Sequence, residues 1–214
     1  MGVRRIKANR RSVTGSHPSL TTGKMVDFES NLEHDFIYRL DVDPTIVHLE
    51  SQPVEIPFVG LGGAQHYTPD FLVHGRSAAD KLVGWLYEVK YLDDLLIDWA
   101  DLKPRFAAAG QYALERDLIF LVLTEYEIRT PYLDNAKRLW DYCRRPACQS
   151  DQARILQSAI RSGRSTLGEL LSTLDDLNLE ERSPYVIALY QLLAERRIKT
   201  DLESPLTLSS DVWM

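Results

Sequence analysis

Long apolar runs are missing from this 214-residue chain. No stretch approaches the roughly 20 residues that span a bilayer, so no membrane segment is expected. The basic N-terminus, MGVRRIKANRRSVTG, has no apolar core of the kind a secretory signal carries. A cytoplasmic protein is therefore expected. Cysteine is scarce, with only Cys143 and Cys148. Two thiols cannot complete a zinc site without nearby histidines, and all five histidines precede residue 75. The pair reads as free thiols in a reducing cytosol. Internal repeats and low-complexity tracts are also absent. What remains, 44% hydrophobic and 26% charged residues, is the composition of a globular protein with one large domain or one large and one small.

The net charge of −6 argues by itself against a nucleic-acid partner. Its distribution argues otherwise. Residues 1–24 hold Arg4, Arg5, Lys7, Arg10, Arg11 and Lys24 and no acid, while the remainder holds 19 basic and 31 acidic residues. A basic arm on an acidic body is either a solubilising tail or a segment that follows a phosphate backbone.

Residues 1–25 lack periodicity and read as an extended arm. A helix follows, in which Leu32, Phe36, Ile37 and Leu40 recur at helical spacing. Ser30 with Glu33 forms a capping box at its start, and Asp43-Pro44 ends it. Strands are expected in TIVHLES, PVEIPFV, YTPDFLVHG and KLVGWLYEVKYL, with a turn at Gly60, Gly62 and Gly63. DLKPRFAAAGQYALERD reads as a helix and LIFLVLTE as a strand at the centre of a sheet covered on both faces. PYLDNAKRLWDYC is a further helix. This order predicts an α/β domain over residues 26–145. After the linker-like RRPACQSD, residues 150–214 read as three short helices and a terminal hairpin containing Pro205. Thr166 with Glu169 caps the second helix, and Ser183-Pro184 opens the third. That pattern suggests a winged helix.

Asp70 follows a proline and precedes the apolar Phe71-Leu72-Val73, where an unpaired carboxylate is costly. Eighteen residues later comes Tyr87-Glu88-Val89-Lys90. Glu88 and Lys90 lie two apart on a strand and so share a face, with Val89 turned into the core. Together these residues spell the PD-(D/E)XK nuclease pattern. Phosphodiester hydrolysis uses a divalent metal to hold the scissile phosphate and activate water. Hard Mg²⁺ takes oxygen ligands, which Asp70, Glu88 and the Val89 carbonyl can supply. Lys90 can orient the water and offset charge at phosphorus.

The segment SNLEHDFIYRLDVDPTIVHLESQP, with YTPDFLV, YEVK and the run to LIFLVLTE, resembles the TnsA transposon endonucleases. LGELLSTL and AERRIKTDLESPLTLSSDVWM resemble their C-terminal winged-helix domain. The resemblance runs from about Phe28 onward. It implies a restriction-endonuclease-like mixed sheet flanked by helices, followed by a small winged-helix domain. It also implies that a glutamate on the first helix, Glu33, joins Asp70, Glu88 and Lys90 in the site. Glu33 also reads as the capping partner of Ser30, and Glu29, one turn earlier, is the alternative ligand. Mg²⁺, replaceable by Mn²⁺, is the implied cofactor.

By resemblance the chain cuts the 5′ ends of a transposon, on the non-transferred strand. It would do so beside an integrase-like transposase and an AAA+ ATPase regulator, on double-stranded DNA, and would be nucleoid-associated when assembled. Residues 150–214 carry seven basic and ten acidic residues, which favours protein docking by the winged helix over strong DNA contact. The alternatives are a non-catalytic adaptor with a nuclease-like fold and a standalone restriction or repair nuclease. His66 reads as a loop residue and Gln111 and Tyr112 as ordinary helix surface. Gln52-Pro53 reads as a turn between strands, and Trp85, Trp99 and Trp140 as core.

Overall fold

Residues 13–28 fold where an arm is expected. In the computed structural model, which describes residues 13–60, 62–146, 149–172 and 179–214, β1 (Gly15–Pro18) and β2 (Met25–Phe28) pair antiparallel, with Gly15 opposite Phe28. A Cβ at Gly15 would lie 2.6 Å from the Phe28 ring, so the close approach requires glycine. His17 is buried, and Phe28 stacks on His34 with ring centroids 4.2 Å apart. Four-residue strands in a polar segment give too little alternation to stand out, which is why an arm is expected there. Arg4, Arg5, Lys7, Arg10 and Arg11 lie outside the described residues.

The chain divides into two compact units. One takes Met1–Ile37 and Val47–Glu125, the other Tyr38–Ile46 and Tyr126–Met214. This division differs from the boundary near residue 145 that the element order suggests.

In the first unit, α1 (Asn31–Asp41) begins at the expected capping box, and Leu32, Phe36 and Ile37 are all buried. β3 (Ile46–Ser51) follows. β4 (Ile56–Gly60) and β5 (Gly63–Tyr67) then form an antiparallel ladder around the Gly-rich turn. His66 therefore lies on a strand, opposite Pro57, and not in a loop. Gly63 to His66 are all exposed, so β5 carries no hydrophobic alternation to read.

β6 (Phe71–Arg76) and β7 (Leu82–Val89) pair antiparallel, with Phe71 opposite Tyr87. α2 (Leu92–Ile97) and α3 (Trp99–Leu114) lead to β8 (Leu118–Leu123), which pairs parallel to β7. The result is a mixed four-stranded sheet, in the order β3-β6-β7-β8, flanked by helices. Phe106 and Ala109 of α3 pack with Leu86 on one face. Phe36 of α1 meets Phe71 and Tyr87 on the other. A Cβ on Gly84 would lie 2.3 Å from the Leu118 side chain, so glycine lets β8 close on β7.

β8 is an edge strand here, not the central one its apolar run suggests. Ile119 and Leu121 are 47% and 38% exposed. An uninterrupted apolar run says that a strand is hydrophobic, not where it sits in the sheet. Of the three tryptophans expected in the core, Trp140 is buried, Trp85 is half-buried and Trp99 is 50% exposed.

In the second unit, α4 (Glu125–Ile128) and α5 (Pro131–Cys143) precede α6 (Gln149–Ser162). β9 (Ser165–Thr166), α7 (Leu167–Ser172), α8 (Leu179–Ala194), β10 (Lys199–Thr200) and β11 (Asp211–Trp213) follow. The three strands form an antiparallel sheet in the order β10-β11-β9. α5 contributes Ala136, Leu139 and Trp140 to this unit's core, alongside Leu189, Leu192 and Leu193 of α8. The Thr166–Glu169 capping box is complete, with both reciprocal bonds made. α8 begins at Leu179, ahead of the expected start, and holds Pro184 inside it. Proline's fixed φ is helical, so the helix continues through it at the loss of one backbone bond. Buried Asn135 receives the Leu206 N–H and donates to the Leu202 and Ser204 carbonyls, which fixes the loop between β10 and β11. Among the described residues no helix is long and apolar enough to cross a membrane.

Candidate active site

The register of β6 and β7 brings the sequence pattern together. Phe71 faces Tyr87, so Asp70, one residue before β6, lies beside Glu88 and Val89 at the end of β7. Asp70 Oδ2 accepts the Val89 N–H at 2.6 Å, and the Asp70 carbonyl accepts the Gln52 N–H at 2.8 Å. Pro69 has no N–H to offer a ladder, which suits the bend from β5 into β6. Asp70 is thus fixed at both its side chain and its main chain.

Glu88 is buried, at 6% exposure. Its Oε2 accepts the Tyr67 hydroxyl at 2.6 Å, and its Oε1 lies 3.9 Å from Lys90 Nζ. Lys90 shares the face of Glu88, as the two-residue spacing requires, and its N–H donates to the Leu123 carbonyl of β8. Val89 between them is buried.

Glu33 completes the capping box. Its Oε1 accepts the Ser30 hydroxyl and its Oε2 the Glu29 N–H, both at 2.8 Å, while the Glu33 N–H donates back to Ser30. The capping role does not remove Glu33 from the site. Its charge acts on both Asp70 and Glu88, and it feels Lys90. Glu29, the alternative, instead accepts the Gln52 amide at 2.8 Å.

The electrostatics are those of crowded carboxylates. Burial raises the Asp70 pKa well above the ordinary range, and the charges of Glu88 and Glu33 raise it further. Burial also raises Glu88, opposed by the Tyr67 hydroxyl and by Lys90. Glu33 is raised by burial as well. Such a cluster favours binding a proton or a cation. Among the described residues no group of three or more His, Cys, Asp or Glu side chains is placed to hold a metal ion.

Two participants escape the sequence pattern. Tyr67 sits on β5 and reaches Glu88 through its hydroxyl. The only hint is its place three residues before Asp70, and nothing in the polar GAQHY marks its ring as buried. Gln52 joins the site by contacts far apart in the chain. Gln111 and Tyr112 stay in local roles on α3. Gln111 bonds Glu115, and the Arg116 guanidinium stacks on the Tyr112 ring at 3.7 Å.

Replacing Tyr67 with phenylalanine keeps the ring and deletes the hydrogen bond that stabilises ionised Glu88. The expected result is a Glu88 carboxyl that titrates at higher pH than in wild type. It can be read by carbon-detected NMR of the metal-free chain, with a loss of about 1–3 kcal/mol of stability at neutral pH because buried Glu88 loses its hydroxyl partner. An unchanged titration would remove Tyr67 from the site.

No curated protein matches the chain. Residues 43–125, which include Asp70, Glu88 and Lys90 but not Glu33, match the family model described as TnsA-like endonuclease N terminal, and this segment is similar to that domain.

Proposed function

We propose that the chain is a Mg²⁺-dependent DNA endonuclease subunit of a heteromeric cut-and-paste transposase, which cuts the 5′ ends of the element on the non-transferred strand. The observation that carries this reading is the meeting of Asp70, Glu88 and Lys90 at one end of β6 and β7, inside the TnsA-like segment. Bound there, the ion would act as a Lewis acid toward the scissile phosphate and lower the pKa of a bound water. Asp70 and Glu88 are the proposed carboxylate ligands, with Glu33 and the Val89 carbonyl completing the protein's share. Tyr67 holds Glu88 in place. Lys90 orients the attacking water and offsets charge developing at phosphorus.

An integrase-like transposase, an AAA+ regulator and double-stranded DNA at the element ends are the proposed partners. Arg4, Arg5, Lys7, Arg10 and Arg11 would contact phosphate. Helices α6, α7 and α8 with the small antiparallel sheet β10-β11-β9 support a winged-helix reading. Its acidic balance favours protein docking there. The proposed setting is cytoplasmic, on the nucleoid once assembled.

Titration of the full chain with Mn²⁺ by calorimetry tests the metal site. Wild type is expected to bind, and Asp70→Ala and Glu88→Ala are each expected to lose most of that affinity. Equal heats from all three proteins would instead favour a non-catalytic adaptor.

A further inference from the structure

Gln52 follows β3 with φ at +49°, in the left-handed region. Glycine accepts that conformation freely and asparagine at a smaller cost than other side chains, and glutamine gains nothing there from its backbone. Its hydrogen bonds supply a reason. The Gln52 N–H donates to the Asp70 carbonyl at 2.8 Å, and its Nε2 donates to Glu29 Oε1 at 2.8 Å. The Glu29 N–H in turn donates to Glu33 Oε2 at 2.8 Å. One residue thereby joins the start of α1 to the start of β6, and so links the segment that carries Glu33 to the one that carries Asp70.

We propose that Gln52 is a positioning residue, which sets the placement of the Glu33 carboxylate and the Asp70 main chain relative to one another through this chain of three hydrogen bonds. The inference rests on the metal-site reading above. Strain of this kind persists where the surroundings require it, and it clusters at working sites. If position 52 served only the turn, glycine would be the better residue there, because it would relax the backbone and lose nothing else.

The test uses the full chain, Mn²⁺ calorimetry and thermal unfolding in parallel. Gln52→Gly is expected to unfold at or above the wild-type temperature, yet to bind Mn²⁺ about 10–100-fold more weakly, as when a group that orients metal ligands is lost. Gln52→Glu sets a second carboxylate against Glu29 and should weaken binding as well. Combining Gln52→Glu with Glu29→Gln reverses donor and acceptor, and should recover most of the affinity that either single change loses. A turn role alone predicts no such rescue. The proposal is overturned if Gln52→Gly binds Mn²⁺ like wild type while Asp70→Ala does not. If wild type and Asp70→Ala bind alike, the metal reading itself fails and this proposal falls with it.

Discussion

Asp70→Ala is expected to leave the 5′ strand of the element uncut when the variant is assembled with the proposed transposase and regulator partners on element-end DNA. The rate is expected to fall at least about a thousandfold, the kinetic equivalent of about 4 kcal/mol of lost transition-state stabilisation. Asp70 is held at both its carboxylate and its main-chain carbonyl. It is fixed by Val89 and Gln52 and lies within the field of both Glu88 and Glu33. Lys90→Ala should fall as far, because no other cation is ion-paired to Glu88 among the described residues. Strand-resolved gels read the cut, and co-purification reads assembly, which should survive because both changes truncate side chains within the cluster. Glu33→Gln separates the two roles of that residue. Glutamine can still serve as the capping partner of Ser30, so stability should hold while cleavage drops. Continued cutting of both strands by Asp70→Ala complexes would refute the site.

Features set by local period or fixed spacing were legible in the sequence. The 3.6-residue recurrence of Leu32, Phe36 and Ile37 gave α1 and its buried face. The two-residue step from Glu88 to Lys90 gave their shared face, and Ser30 with Glu33 gave the capping box. Features set by long-range contact were not legible. Gln52 reaches Glu29 and Asp70, 23 and 18 residues away, and no periodicity reports such a bond. Tyr67 was hidden in a strand whose other residues are exposed, so neither alternation nor an apolar run marked it. The edge position of β8 depends on what lies beyond Leu123, not on LIFLVL itself. The β1–β2 hairpin folds because His17 and Phe28 find partners on and around α1. The polar composition of residues 13–25 concealed it. The pattern therefore gave the candidate residues, while the supports that hold them in place came only with the fold.

The same crowding makes a second change act in the opposite direction on stability. Asp70→Asn should raise the thermal midpoint of the metal-free chain at neutral pH, by a few degrees for a unit of this size. Asp70, Glu33 and Glu88 all have folded pKa values above their ordinary ones, with burial the largest cause in each case. The folded state therefore holds these protons more tightly than the unfolded chain does. Between the unfolded carboxylate range near pH ~4 and the raised folded values, the folded protein carries more protons, so its stability declines as pH rises through that window. Asparagine at position 70 removes one charge and keeps an oxygen that can accept the Val89 N–H. The difference in midpoint between variant and wild type should accordingly be largest at neutral pH and shrink toward acid, with titrations elsewhere cancelling in the comparison. Saturating Mg²⁺ should reverse the ranking. At the proposed site it would stabilise wild type in proportion to its binding and the variant far less. Scanning calorimetry from pH 5 to 8, with and without metal, measures both effects. A variant less stable than wild type across that range would mean that Asp70 is a structural acceptor whose charge the fold has already neutralised, and that it is not held ready for a cation.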